Sequence, residues 1–216
     1  MILYSNGCSY TKNLKVDDDQ RYPSLLSRQL NWDLMDNGIP GSCNGRILRC
    51  TYRDSVKLLN QGKSFFALIQ LTHLYRFEYV GEHTEKNHWK YAADDLFESI
   101  TPATHDIPAQ VKTYANGHFA LHNDTAEFSK LIANLIGLTA FFKQNNIGYL
   151  IYSGPEVPPI DMSQDAMYLY LSKNAGVLDL LNFNMLGITG KQQHPAAEGM
   201  QQIANYFYQL LRDFTN

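Results

Sequence analysis

Three short polar segments and one histidine carry the residue types of nucleophilic chemistry. Ser5-Asn6-Gly7-Cys8-Ser9-Tyr10-Thr11 follows the apolar start of the chain. Asn37-Gly38-Ile39-Pro40-Gly41-Ser42-Cys43-Asn44 follows a second apolar stretch. Thr72-His73 closes the run Phe65–Leu71, and His194 stands beside Pro195 at the head of the last amphipathic stretch. A serine hydroxyl is a weak nucleophile at neutral pH until a neighbouring base takes its proton. The oxyanion that then develops needs hydrogen-bond donors, which glycine loops and helix N-termini supply as backbone amides. Ser9 as nucleophile, His194 as base and Gly41 as an amide donor would provide these parts.

The elements that must position these residues are legible as apolar patterns. Ile2–Ser5 is a short buried-strand run broken by Asn6-Gly7. Tyr22–Leu30 is predicted as a helix with Leu25, Leu26 and Leu30 on one side, and Trp32–Met35 as a second strand ended by Asn37-Gly38. Ile47, Leu48, Tyr52, Val56 and Leu59 recur at helical spacing and predict a helix from about Asn44 to Asn60. Phe65–Leu71 is apolar almost throughout, the pattern of a central strand covered on both faces. Asp124 and Glu127 read as a capping box opening a helix with Phe128, Leu131, Ile132, Leu135, Ile136 and Phe142 inward. Ile147–Tyr152 is a further buried strand. Pro195 suits the first turn of a final helix with a stripe at Met200, Ile203, Ala204, Phe207, Leu210, Leu211 and Phe214.

Strand and helix alternating in this order predict a three-layer α/β/α fold, its sheet mainly parallel and four or five strands wide. The segment from about Thr72 to Asn123 breaks the rhythm and is rich in His, Tyr and Asp; it is expected to be an insertion within a single domain spanning residues 1–216. Ligands of open α/β sheets sit beyond the carboxyl ends of the strands, where all three polar segments fall.

Each candidate also has a plainer reading. Ser9 could be a turn serine, and His194 a histidine at a helix start. Gly41 could be needed only for positive φ, which coexists with an oxyanion role. Asn44 could be an N-cap rather than a donor to the site. Cys8 is expected to be a small buried neighbour of Ser9 rather than the nucleophile. Arg76 and Glu78 read by default as a surface ion pair, with support of the site as the minority reading. Asp17–Asp19 reads as a solvated loop. His118 and His122 are four apart, which on a helix would suit a metal, but Asn116-Gly117 and Asn123-Asp124 argue against a helix there. With His83 and His88 also lacking ligand spacing, no metal site is expected.

Taken together, the blocks resemble the SGNH (GDSL-like) hydrolase family. Gly7-Cys8-Ser9-Tyr10-Thr11 is similar to its first block in a diverged Gly-Cys-Ser form. Asn37 through Asn44 resembles the second, with Gly41 as the glycine whose amide serves the oxyanion hole. His194-Pro195-Ala196-Ala197-Glu198-Gly199-Met200 resembles the last. The order and spacing span nearly the whole chain. The resemblance implies an SGNH/flavodoxin-like fold and a serine esterase acting on short acyl esters, acetylated carbohydrate among them, without a cofactor. Two departures stand out. Lys191 and Gln192 occupy the region where the family places an Asp before the histidine, and an acid there orients and stabilises the imidazolium. The third block, Leu71-Thr72-His73-Leu74, has no Asn, so His73 or Asn44 is the candidate replacement donor. These losses support a second reading, a binding or structural protein that keeps the fold without the chemistry.

Composition narrows the rest. The 216 residues suffice for one large core, and 44% hydrophobic with 18% charged residues excludes whole-chain disorder. A net charge of −3 with scattered Lys and Arg argues against a nucleic-acid partner. The 14 tyrosines suit a core and half-exposed surface of amphipathic rings, with a ligand groove as the less favoured use. Three cysteines without a C-x-x-C pair fit a reducing compartment. No apolar run reaches the ~20 residues that span a bilayer, and the N-terminus has no signal-peptide pattern. A cytoplasmic protein with a small-molecule or carbohydrate ester as its partner is the expectation, with no membrane association.

Overall fold

The computed structural model describes residues 1–80, 97–100, 109–189 and 194–215. Four strands, β1 (Ile2–Asn6), β2 (Asp33–Asp36), β3 (Phe65–Leu71) and β6 (Gly148–Ser153), form a wholly parallel sheet in the order β2-β1-β3-β6. Single bridges from Ile151 to Val177 and from Ser153 to Asn184 continue the parallel direction beyond β6. Helices α2 (Asn44–Asn60) and α4 (Asp124–Gln144) cover one face; α1 (Tyr22–Leu30) and α7 (Ala197–Thr215) cover the other. The remaining helices are α3 (Ala109–Ala120), α5 (Ala166–Ser172) and α6 (Met185–Thr189). This is the expected three-layer α/β/α arrangement.

The alternation of side chains along β3 explains why its sequence is apolar throughout. Phe65, Ala67, Ile69 and Leu71 enter the core under α2 and α4, whereas Phe66 and Leu68 face α1 and α7. Gln70 shares the parity of Phe66 and Leu68, and it is the one polar residue of this strand. On α7, Met200, Ile203, Ala204, Phe207 and Leu211 are fully buried. Truncating Phe207 alone would cost about 3–5 kcal/mol by the usual cavity rule, so α7, with His194 just ahead of it, is firmly docked.

Several local expectations need correction. The second and fourth sheet strands each start one residue later than predicted. Asn123, not Asp124, caps α4: its side chain accepts from the Ala126 N–H at 3.0 Å, because the helix already includes Asp124. Likewise Asn44 is the first residue of α2 and not its cap, since Cys43 Sγ accepts from the Arg46 N–H at 3.4 Å. Pro195 precedes α7 instead of opening it. His118 lies on α3, so a helix does form there; His122 follows it and bonds Asp124 Oδ1 through Nε2 at 2.6 Å. Within the segment 72–123, β4 (Phe77–Val80) and β5 (Phe97–Ile100) form a separate antiparallel pair. His83, His88, Lys191 and Gln192 lie outside the described residues. Among the described residues no helix is long and apolar enough to cross a membrane. The three cysteines are buried and none is in a disulfide.

Candidate active site

Ser9 sits three residues beyond β1, at the carboxyl edge of the sheet. The Cys8 carbonyl accepts from both the Thr11 and the Lys12 N–H at 2.9 Å, which closes a tight turn around Ser9. Glycine is required just before it: a Cβ on Gly7 would lie 2.6 Å from Gln70 Oε1 and collide with Thr11 as well. Gln70, buried at the end of β3, accepts from the Cys8 N–H at 2.9 Å and from the Thr11 hydroxyl at 3.0 Å, and donates to the Leu71 carbonyl. Because the single Thr11 proton goes to this carbonyl oxygen, Tyr22 must donate to Thr11 (2.9 Å) and Tyr152 to Tyr22 (2.6 Å). Burial pushes both tyrosine pKa values upward, so both phenols stay protonated and keep this chain directed.

His194 is brought over Ser9 although 185 residues separate them: Ser9 Oγ and His194 Nε2 are 2.7 Å apart. Two contacts position the imidazole. The Tyr10 ring stacks on it with centroids 4.6 Å apart and planes 22° apart. Asn13 Nδ2 donates to the Pro195 carbonyl at 3.0 Å, tying the loop after the serine to the loop that holds the histidine. Tyr10, Asn13, Lys15, Val16 and His194 line a half-open groove of about 580 Å³. A larger cavity of about 630 Å³, near Trp32, Phe66 and Tyr149, lies at the amino ends of the strands, the opposite pole from Ser9.

The second loop approaches the same place. The Ile39 N–H donates to the Gly7 carbonyl at 3.1 Å, and Gly41 has φ +82°, a conformation that favours glycine. Two arginines fix the adjoining residue: Arg46 donates to Ser42 Oγ and Arg76 to the Ser42 carbonyl, both at 3.2 Å. Among the described residues, the N–H groups of Ser9 and Gly41 donate to no protein acceptor. Asn44 is spent largely on structure: it donates to the Thr72 carbonyl at 3.0 Å and accepts from the Thr72 N–H at 2.8 Å, clamping α2 to the end of β3. His73, next to that clamp, stacks on Tyr75 and approaches Tyr10, with centroids 5.0 and 6.3 Å apart.

The charges around the imidazole are cationic. Burial, then the Arg76 and Lys15 charges, hold the His194 pKa below its ordinary value. Burial, with Arg76 and His194 beside it, pushes His73 down to about 4. Both rings are therefore neutral at pH 7. The expected Arg76–Glu78 ion pair does not form, because Glu78 pairs with Arg49 at 2.9 Å. Sequence reasoning missed three residues of this neighbourhood: Gln70, Asn13 and Tyr10. Only Gln70, a lone polar residue in an apolar strand, left a signal. Among the described residues no group of three His, Cys, Asp or Glu side chains could hold a metal.

The chain aligns along nearly its full length with several solved structures. A psychrotrophic esterase, EstA from Pseudoalteromonas sp., superimposes with TM-score 0.57 at 16% identity, over 100% of this chain and 98% of the other. TesA superimposes with TM-score 0.55 at 13% identity over 99% of both chains. A protein of the G-D-S-L family from Desulfitobacterium hafniense DCB-2 gives TM-score 0.53 at 8% identity, over 97% of this chain and 98% of the other. The fold is that of the SGNH hydrolases. No family model matches the sequence, and no curated protein matches it. The likeness to these three structures is one of fold, at identities of 8–16%.

Proposed function

We propose that this chain is a serine esterase of the SGNH type that hydrolyses short acyl esters. The observation that carries the reading is the 2.7 Å contact between Ser9 Oγ and His194 Nε2, beside two uncommitted backbone amides. Ser9 Oγ attacks the ester carbonyl while its proton passes to His194 Nε2. The Ser9 and Gly41 amides stabilise the oxyanion. The C–O bond then breaks, and the imidazolium returns the proton to the leaving alkoxide. Water repeats the sequence on the acyl-enzyme, releasing the acid and restoring Ser9. For Nε2 to accept the Ser9 proton, the ring proton of the resting imidazole sits on Nδ1. No cofactor takes part.

Turnover is expected to be slow. The charges that act on His194 are cations, which disfavour the imidazolium formed during attack. Loss of the acidic partner of a conventional triad lowers the rate on the order of 10⁴-fold. The test is a fluorophosphonate probe read by mass spectrometry. Labelling is expected at Ser9 and is expected to vanish in His194→Ala; an unlabelled wild-type protein, hydrolysing esters no faster than Ser9→Ala, would favour the binding-protein reading.

The pH profile follows from the sign of the shift. A general base works in its neutral form, and a depressed pKa keeps His194 neutral to lower pH. The acidic limb of kcat/KM should therefore fall below the ordinary histidine value of about 6.5. A limb at or above that value, in protein still folded by circular dichroism, would contradict the cationic setting.

Asn13 supplies a separate test of positioning. Asn13→Asp keeps the oxygen that accepts from the Lys15 N–H but removes the donor to the Pro195 carbonyl. We expect kcat to drop roughly 10- to 100-fold, the usual penalty of a misplaced reacting group, with a much smaller change in KM. Equal loss in both parameters would show that Asn13 shapes the groove and not the base.

A further inference from the structure

We propose that the ester taken by this site carries an anionic group close to the scissile bond, with Arg76 holding that group and Lys15 at the rim of the groove. The inference rests on the esterase reading and extends it to a substrate class.

Arg76 is half-buried within the turn that leaves β3, its N–H directed to the His73 carbonyl at 3.5 Å. One terminal nitrogen donates to the Ser42 carbonyl, immediately after Gly41, so the guanidinium borders the oxyanion loop. Its Nε is buried and has no hydrogen-bond partner. Among the described residues no carboxylate pairs with Arg76 or with Lys15. The nearest acid in sequence, Glu78, is taken by Arg49. Leaving that buried Nε without an acceptor is costly, and nothing negative among the described residues offsets the charge. Lys15 lines the groove beside His194, and its charge, with that of Arg76, reaches the imidazole.

Two cations whose charge reaches a base work against the base itself, because they disfavour its protonated form. An anionic substrate reverses this. Its charge offsets both cations when it binds, so His194 can accept the Ser9 proton in a field closer to neutral. Arg is suited to this task because its planar fork binds carboxylate and phosphate oxygens two at a time. Placed here, the anion would lie beside the Gly41–Ser42 loop.

The test compares charged and neutral esters, each enzymatic rate taken relative to that ester's own spontaneous hydrolysis. On the acyl side the pair is mono-4-nitrophenyl adipate and 4-nitrophenyl valerate, the longer chain disfavouring attack of the carboxylate on its own ester; on the alcohol side it is 4-acetoxybenzoate and its methyl ester. Each rate is corrected with Ser9→Ala protein. In the wild type, kcat/KM should favour the anionic member of at least one pair by about 10- to 100-fold, the range of one charge-assisted hydrogen bond. That preference should shrink as sodium chloride is raised. In Arg76→Gln the ratio should fall towards unity, and Arg76→Lys should restore part of it. Equal rates for both members of both pairs, in protein that the fluorophosphonate labels at Ser9, would overturn the inference and leave the esterase intact. A proportional loss for both members in Arg76→Gln would also overturn it, making Arg76 an aid to the oxyanion only. If no ester turns over and Ser9 is not labelled, the esterase reading fails. Binding then decides the anion site: calorimetry on Ser9→Ala protein should detect 4-acetoxybenzoate but not its methyl ester, and the double variant Ser9→Ala/Arg76→Gln should lose the signal.

Discussion

Replacing Ser9 by alanine should abolish ester hydrolysis, and replacing His194 by alanine should reduce kcat/KM by about 10²–10⁴-fold, the span of a lost general base. Neither change should disturb folding. Ser9 Oγ has its hydrogen bond with a histidine that is partly desolvated yet still open to water at the groove, so truncation strands no buried partner. Initial rates on an activated acetate ester, with thermal melts run in parallel, read both effects. The double variant should be no slower than Ser9→Ala alone, because the two groups act as one unit. If His194→Ala retained wild-type rates while Ser9→Ala did not, another group would be the base. His73 would be the first candidate, being neutral at pH 7 and close to Tyr10.

The second large effect is expected at Gln70, which touches no substrate. Gln70→Leu keeps a similar volume but removes the acceptor for both the Cys8 N–H and the Thr11 hydroxyl. Each buried donor left unsatisfied costs about 1–3 kcal/mol. With two such donors, urea denaturation should show a loss of roughly 2–6 kcal/mol, much of the total stability of an ordinary domain. The remaining folded fraction should also react slowly with a fluorophosphonate, because the turn presenting Ser9 loses its anchor. Gln70→Glu is the informative companion, since it keeps an acceptor oxygen in place. Full stability in Gln70→Leu would mean that the turn is held by the Cys8 carbonyl bonds alone.

How far the sequence could be read depended on whether a feature repeats. Phe65–Leu71, Tyr22–Leu30 and Asn44–Asn60 were legible to the residue because many side chains vote for one period. Strand ends and caps rest on single residues, which is why Asn123 and Cys43 displaced Asp124 and Asn44 as caps. Ser9, Gly41 and His194 could be nominated because each stands in a short, ordered block at a strand end or helix start, and the fold brings Ser9 and His194 together. Asn13 and Tyr10 could not. Their roles exist only through Pro195 and the His194 ring, and nothing in the local pattern announces contacts across more than 180 positions. Arg76 and Glu78 show the same limit in reverse. Their proximity in sequence suggested an ion pair, but Arg49 on α2 claimed the glutamate.

The 185-residue gap between Ser9 and His194 also has a meaning in time. A ribosome adding about 5–20 residues per second exposes the serine roughly 10–40 s before the histidine is made. For the first part of that interval β1 cannot hold its central place, since its neighbours β2 and β3 are still unsynthesised. On the proposed esterase reading the serine is thus made long before its base, and a chain stalled anywhere short of α7 would carry an inert serine. Appearance of probe-reactive Ser9 during synthesis would consequently act as a clock, striking only when the last helix has emerged and docked.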